Sequence, residues 1–266
     1  MFQRLKDTFN KDSELFKAIN ALNLDRVNLL LENNADPNKS TGDGVKPLSR
    51  AIRLYNTQKM VPDFDQERFD TSYAIIRALV EKGADVNIGA DYIRYVQDHG
   101  NIDMRTQTPL ILGLKEFDTK LLDYLIDNRA NVNLVTTDKV YQNGYTYTPL
   151  TWVLENFNKL TANNPRLTTL EAVRYLLSRG ADPKKGFEYL DGKNKRIKSP
   201  LTLIDSYVGT DKDEIRALLF NPPIPQSVNK SMNPLIPEEG GRRRRRKTNK
   251  KRKTSRRRKT GKRRRR

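Results

Sequence analysis

The residues with the densest chemistry in this sequence are cationic, and they lie together. Of its 51 Lys and Arg, 19 fall within residues 241–266 with no acid among them, which leaves 32 cations against 32 acids in residues 1–240. They are Arg242, Arg243, Arg244, Arg245, Arg246, Lys247, Lys250, Lys251, Arg252, Lys253, Arg256, Arg257, Arg258, Lys259, Lys262, Arg263, Arg264, Arg265 and Arg266. Such a run contacts phosphates without reading bases, because it has no aromatic ring to stack and no shaped pocket. Extended at about 3.3 Å per residue, it reaches on the order of 85 Å. The same clusters fit an acidic nuclear import receptor. An anionic membrane surface gains no support, since no lipidation motif or apolar anchor accompanies the charge. Thr248, Thr254, Ser255 and Thr260 lie within the run, where phosphate would cancel part of its charge; spacer residues are the plainer reading.

A second concentration is aromatic. Six of the 11 tyrosines, Tyr92, Tyr95, Tyr141, Tyr145, Tyr147 and Tyr189, fall in the segments 88–107, 134–147 and 185–198. Tyr supplies much contact area at low entropy cost, which marks these rings as candidate protein-binding residues. They can equally pair across their own hairpins. Tyr141 and Tyr145, nearest an Asn-Gly turn, are expected to be the freer ones.

The remaining inventory points away from catalysis. There is no Cys and one His, His99, so thiol chemistry, disulfides and the usual zinc sets are largely excluded. No nucleophile and base can be paired, which leaves no enzyme and no cofactor expected. Asp63, Asp65 and Glu67 start like a calcium loop, but Arg68 stands where the sharp turn needs Gly. Gly42-Asp43-Gly44 lacks the Lys and Ser or Thr of a phosphate loop. Sequons at Asn38 and Asn229 have no secretory signal before them, and the proline pairs Pro222 with Pro225 and Pro234 with Pro237 lack a placed basic neighbour. No apolar run approaches the roughly 20 residues of a membrane span. An intracellular chain is expected.

These residues must be positioned by elements that recur. An apolar triplet at i, i+3, i+4, the spacing of one helix face, occurs five times. Its members are Val27, Leu30, Leu31; Ile76, Leu79, Val80; Leu122, Leu125, Ile126; Val173, Leu176, Leu177; and Ile215, Leu218, Leu219. Four triplets are followed by related stops: NNADPN (33–38), KGADVN (82–87), NRANVN (128–133) and RGADPK (179–184). Gly83 and Gly180 stand where a helix ends in a left-handed residue, Asn34 tolerates that conformation, and Arg129 fits it less well. Upstream of four triplets a second helix opens with a Pro, in KPL (46–48), TPL (108–110), TPL (148–150) and SPL (199–201). The first unit opens instead at Ser13, Glu14, Leu15.

A TPL-opened helix, a second helix ending in GADVN and a turn after it resemble the ankyrin repeat, over about residues 11–221. The resemblance implies an all-α repeat fold, a solenoid of about five helix pairs with fingers between them, which commonly grips protein partners and uses no cofactor. The chain departs from the pattern at Ser49, Ile111, Thr151 and Thr202, which replace the family's His after TPL. Its stop positions Asn38, Asn87, Asn133 and Lys184 are 49, 46 and 51 residues apart, against the usual ~33. Each unit therefore carries an insertion. Residues 56–70 and 156–168 fall between helices, whereas 88–107, 134–147 and 185–198 lengthen the fingers. The fingers read as hairpins: Val140–Gln142 against Tyr145–Tyr147 around Asn143-Gly144, Tyr92–Met104, and Phe187–Ile197 around Asp191-Gly192.

Three regions follow: a repeat domain over 1–221, a Pro- and Gly-containing linker over 222–241, and a disordered basic tail over 242–266. The function expected is a non-enzymatic, monomeric adaptor that holds a protein through fingers and inner helices, with a tail for nuclear targeting or for DNA or RNA. The alternative is a nucleic-acid-binding protein whose tail carries the main activity. Irregular repeats joined to an Arg- and Lys-rich end are similar in style to proteins of large DNA viruses, which implies a host protein as partner.

Overall fold

The computed structural model describes residues 2–40, 44–59, 63–89, 107–138, 145–161, 168–191 and 194–225. All of them belong to one contact unit, Met1–Asn229. The tail, the Tyr92–Met104 hairpin and the linker beyond residue 225 lie outside the described residues. The described part is mostly helical, with ten helices and two short hairpins. The helices are α1 (Phe2–Asn20), α2 (Leu24–Glu32), α3 (Pro47–Gln58), α4 (Gln66–Glu81), α5 (Pro109–Glu116), α6 (Thr119–Asp127), α7 (Pro149–Thr161), α8 (Thr169–Ser178), α9 (Pro200–Leu203) and α10 (Lys212–Phe220). The strands are β1 (Thr136–Asp138), β2 (Tyr145–Tyr147), β3 (Phe187–Asp191) and β4 (Asn194–Lys198).

Helix starts are set by side chains that meet unpaired backbone N–H groups. Asn23, Asp65, Thr108, Asp118 and Thr168 each accept from the third residue on, capping α2, α4, α5, α6 and α8. After the Pro-Leu that opens α7 and α9, Thr151 and Thr202 close reciprocal boxes with Thr148 and Ser199, the backbone N–H of each cap donating to the partner hydroxyl at 2.8 Å. Lys46 makes no such bond, and α3 relies on its Pro at the first position. Asp65 is thus a helix cap, accepting from Arg68 N at 3.0 Å.

The ends of α2, α4, α6 and α8 follow one geometry. Asn34, Gly83, Arg129 and Gly180 are all left-handed, with φ of 63°, 91°, 75° and 90°. The next residue, Ala35, Ala84, Ala130 or Ala181, donates its N–H to a carbonyl five residues back at 2.9 Å in every case. Arg129 adopts the conformation despite its Cβ.

Each helix packs on its sequence partner, α1 on α2, α3 on α4, α5 on α6, α7 on α8 and α9 on α10. The first helices of the pairs also touch in series, from α1 through α3, α5 and α7 to α9. The apolar triplets fill the space between, and all but Val80 and Leu218 are buried. Full burial of such a side chain is worth about 1.5–3 kcal/mol, so these positions contribute strongly to cohesion.

Four expectations are corrected. Ser13 does not open a helix: α1 runs through it from Phe2, because no Pro or Gly interrupts residues 2–20. The insertions at 56–70 and 156–168 are partly helical, α3 continuing to Gln58, α4 starting at Gln66 behind its Asp65 cap, and α7 continuing to Thr161. Tyr145 pairs with Asp138 rather than Gln142, so β2 is matched by Thr136–Asp138, upstream of the segment beside Asn143-Gly144. In the last finger Asp191 pairs with Asn194, which leaves Gly192 and Lys193 between the strands, one position later than expected.

Candidate protein-interaction surface

The fingers are rooted in a set of bonds that the same three residue positions make. Asn38 donates its side-chain N–H to Gly83 O at 2.8 Å and accepts from Asp85 N at 2.7 Å. Asn87 does the same with Arg129 O at 3.0 Å and Asn131 N at 2.7 Å, and Asn133 with Gly180 O at 2.9 Å and Asp182 N at 2.7 Å. Within each turn a side-chain oxygen of Asp36, Asp85, Asn131 or Asp182 accepts from the backbone N–H two residues later, holding the loop closed. The first turn is tied to α1 instead, Asp36 N donating to Asp12 at 2.9 Å. The fourth position is Lys184, which has no amide to continue the series. Sequence reasoning treated these asparagines only as helix stops; their recurrence was the available signal.

On these roots stand β1–β2 and β3–β4, each an antiparallel pair. Gly186 immediately precedes the second. A Cβ there would lie 2.8 Å from Lys198 O and 3.0 Å from Ser199 Cβ, so the chain passes where no side chain fits. Lys198 forms an ion pair with Glu155 of α7, which fixes the end of β4 to the helix row.

The six candidate tyrosines have different fates. Tyr147 is 0% exposed and forms part of the core beneath the finger, which corrects its assignment as a contact residue: a sealed ring cannot meet a partner. Tyr189 is 37% exposed, directly opposite Arg196 in the β3–β4 register, with the Lys198 ammonium 6.0 Å from its ring centre. Tyr145 lies in β2. Tyr92, Tyr95 and Tyr141 fall outside the described residues, as do all the tail cations. Among the described side chains of the fingers, the apolar one most open to solvent is Ile197, at 65%, which sequence reasoning missed because β-branched residues in strands are usually counted as core.

Away from the fingers, polar groups tie helices of consecutive pairs to one another. Tyr55 of α3 donates to Asp118 at 2.5 Å, and the Lys59 ammonium pairs with the same carboxylate oxygen. Burial works to raise the Asp118 carboxyl, but the hydrogen bonds from Lys59 and Tyr55 outweigh it and hold it below the usual range. Burial, then Asp118, pushes the Tyr55 hydroxyl up. Phe69 stacks on Tyr55 at 4.6 Å, Tyr73 meets Tyr124 edge-on at 6.0 Å, and Lys120 lies 4.5 Å from the Tyr73 ring centre. Burial, with Glu81 next, pushes the Tyr124 hydroxyl up to about 12. Tyr175 of α8 donates to Asp123 of α6 at 2.6 Å, and Arg179 pairs with Asp123 at 2.8 Å. These partners have structural tasks, joining helices distant in sequence.

Among the described residues, no group of three or more His, Cys, Asp or Glu could hold a metal ion, and no helix is long and apolar enough to cross a membrane. No family model matches the sequence, and no curated protein matches it.

Proposed function

We propose that the chain is a non-enzymatic adaptor, an ankyrin-type solenoid of about five helix pairs that binds a protein through its fingers and inner helices. The polybasic tail then delivers the pair to an import receptor and the nucleus, or to DNA or RNA. The observation that carries this reading is the hydrogen-bond set that Asn38, Asn87 and Asn133 make with the following turn. Equivalent joints between consecutive helix pairs are what stacking of like units requires, and stacking leaves fingers and first helices on one continuous face. That face is suited to recognition rather than to bond-making.

A second reading has its own support. With 19 cations in residues 241–266, the tail could supply the main activity, the folded part only modulating nucleic-acid binding. Counterion release separates the two. A chain lacking residues 241–266 is compared with the full chain for protein capture after nuclease treatment and for nucleic-acid binding at rising salt. Partner capture that survives truncation and depends weakly on salt supports the adaptor. Loss of every interaction with the tail supports the second reading.

A further inference from the structure

The cationic end of the chain has an order that its charge alone does not require. Residues 245–262 are three consecutive hexads: Arg245-Arg246-Lys247-Thr248-Asn249-Lys250, Lys251-Arg252-Lys253-Thr254-Ser255-Arg256 and Arg257-Arg258-Lys259-Thr260-Gly261-Lys262. Each reads base, Arg, Lys, Thr, a small or polar residue, base. The fifth place varies among Asn, Ser and Gly, as a spacer can. The fourth is Thr every time, and a spacer gives no reason for that.

Their setting decides what these threonines offer. Each has cations at all three places before it. A protein kinase that presents carboxylates to the residues preceding its acceptor hydroxyl recognises such a triplet by charge-assisted hydrogen bonds. Ser255 has Arg252 and Lys253 at the third and second places but Thr254 directly before it. In residues 1–240 no Ser or Thr has cations at both the third and the second place. Thr108, Thr168 and Ser199 have one such cation each, Arg105, Arg166 and Arg196, and their side-chain oxygens are committed to the caps of α5, α8 and α9. An enzyme selecting on preceding charge is therefore led to the hexads.

We propose that Thr248, Thr254 and Thr260 form an array of phosphorylation sites for a base-directed Ser/Thr kinase, and that phosphate there loosens the tail's hold on nucleic acid. The kinase transfers the γ-phosphoryl group of ATP to Thr Oγ1; the new P–O bond forms as the bond to ADP breaks, and the hydroxyl proton passes to solvent. Each phosphate brings about −1.5 to −2 charges into a hexad of four cations, cancelling up to about half of them. Six residues span about 9 Å if helical and about 20 Å if extended, whereas screening at physiological salt acts over about 8 Å. Each phosphate thus acts mainly on its own hexad, and the three effects add as a graded control. The proposal rests on the nucleic-acid role of the tail and supplies its regulation.

In the test the full chain is incubated with ATP and a purified Arg-directed Ser/Thr kinase, and fragment mass spectra count and place the phosphates. Binding to a duplex oligonucleotide is then followed against salt, beside T248A/T254A/T260A treated alike and a chain lacking residues 241–266. Expected are three phosphates on the three threonines and a duplex affinity weaker by about tenfold or more at physiological salt. The log–log salt slope is expected to become shallower by about five, each lost phosphate contact counting about 0.9. The triple variant is expected to bind like the untreated chain before and after incubation. Phosphate on Ser255 alone or on the folded part would overturn the proposal, as would three phosphates with affinity and slope unchanged. An untreated full chain that binds duplex no better than the truncated one rejects the nucleic-acid role of the tail itself, and with it the loosening, while the phosphate map still decides the sites.

Discussion

The hydroxyl of Tyr55 donates to the carboxylate of Asp118 at 2.5 Å, joining α3 to the cap of α6 across 63 residues of sequence. The same carboxylate accepts from Leu121 N at 3.1 Å and pairs with Lys59, so one side chain both starts a helix and holds two elements together. Removing its charge while keeping its shape, Asp118→Asn, retains an acceptor for the cap and weakens the tie. The variant is expected to lose about 1–3 kcal/mol, read from chemical denaturation. Tyr55→Phe is expected to lose about 1 kcal/mol by the same measurement.

Two neighbouring carboxyls give the fold opposite responses to acid. Asp118 lies below its ordinary value of 3.8, so its stabilisation is present above that value and is lost as pH falls through the still lower folded value. Glu116, raised by burial above its ordinary 4.5, behaves the other way: its contribution is full below 4.5 and is lost as pH rises through the folded value. Acidification from neutrality should first raise the melting temperature slightly, then lower it once pH passes below 3.8. Glu116→Gln abolishes the rise; Asp118→Asn reduces the fall. Calorimetry across that range in all three proteins checks both signs.

Asn87→Ala removes one donor and one acceptor that meet backbone groups of the next turn. Each bond contributes about 0.5–1.5 kcal/mol, so a loss of about 1–3 kcal/mol is expected, and a similar loss for Asn133→Ala. Hydrogen exchange should show faster exchange at Asn131 N in the first variant and at Asp182 N in the second, the amides that lose their acceptors. Unchanged protection there would refute the joint.

Arg129 holds a φ of 75° where two of its three counterparts are Gly. Arg129→Gly relieves a left-handed side-chain clash and is expected to stabilise the fold by about 1 kcal/mol, part of the relief being returned to the more flexible unfolded chain. A lower midpoint in urea would show that the arginine side chain contributes more than its backbone costs.

Gly186→Ala places a methyl 2.8 Å from Lys198 O, and the atom opposite it is backbone, which cannot swing away. A loss of about 1–3 kcal/mol is expected, with displaced amide shifts for Phe187 through Lys198 in NMR spectra. A spectrum unchanged over β3 and β4 would show that the finger root is not so tightly constrained.

What the sequence makes legible follows from the range of each interaction. The triplets, the prolines at helix starts and the left-handed stops are local: each is written within a few residues, and Val27, Pro109 and Gly180 lie where spacing and turn chemistry put them. The cap of α4 by Asp65 is equally local but was obscured by its likeness to a metal loop. Long-range matters were hidden. Nothing near Tyr55 announces Asp118, and nothing near Asn38 announces Gly83. Hairpin register escaped for a related reason. Asn143-Gly144 is a strong turn signal, yet Tyr145 pairs with Asp138, so the strand pairing is set farther along the chain than a two-residue turn allows. Tyr147 and Ile197 show the same limit: alternation along a strand tells which residues share a face, but only packing, such as that of β2 against α7, tells which face is sealed.

The bonds made by Asn38, Asn87 and Asn133 end on main-chain atoms, the carbonyl of one residue and the N–H two positions later. Such a coupling is blind to the identity of the residues it grips; it works equally on Gly83, Arg129 and Gly180. Mutational drift can therefore rewrite the side chains around each junction, and lengthen the loops beyond it, without loosening the connection. This tolerance lets the outer contours vary while the framework stays the same.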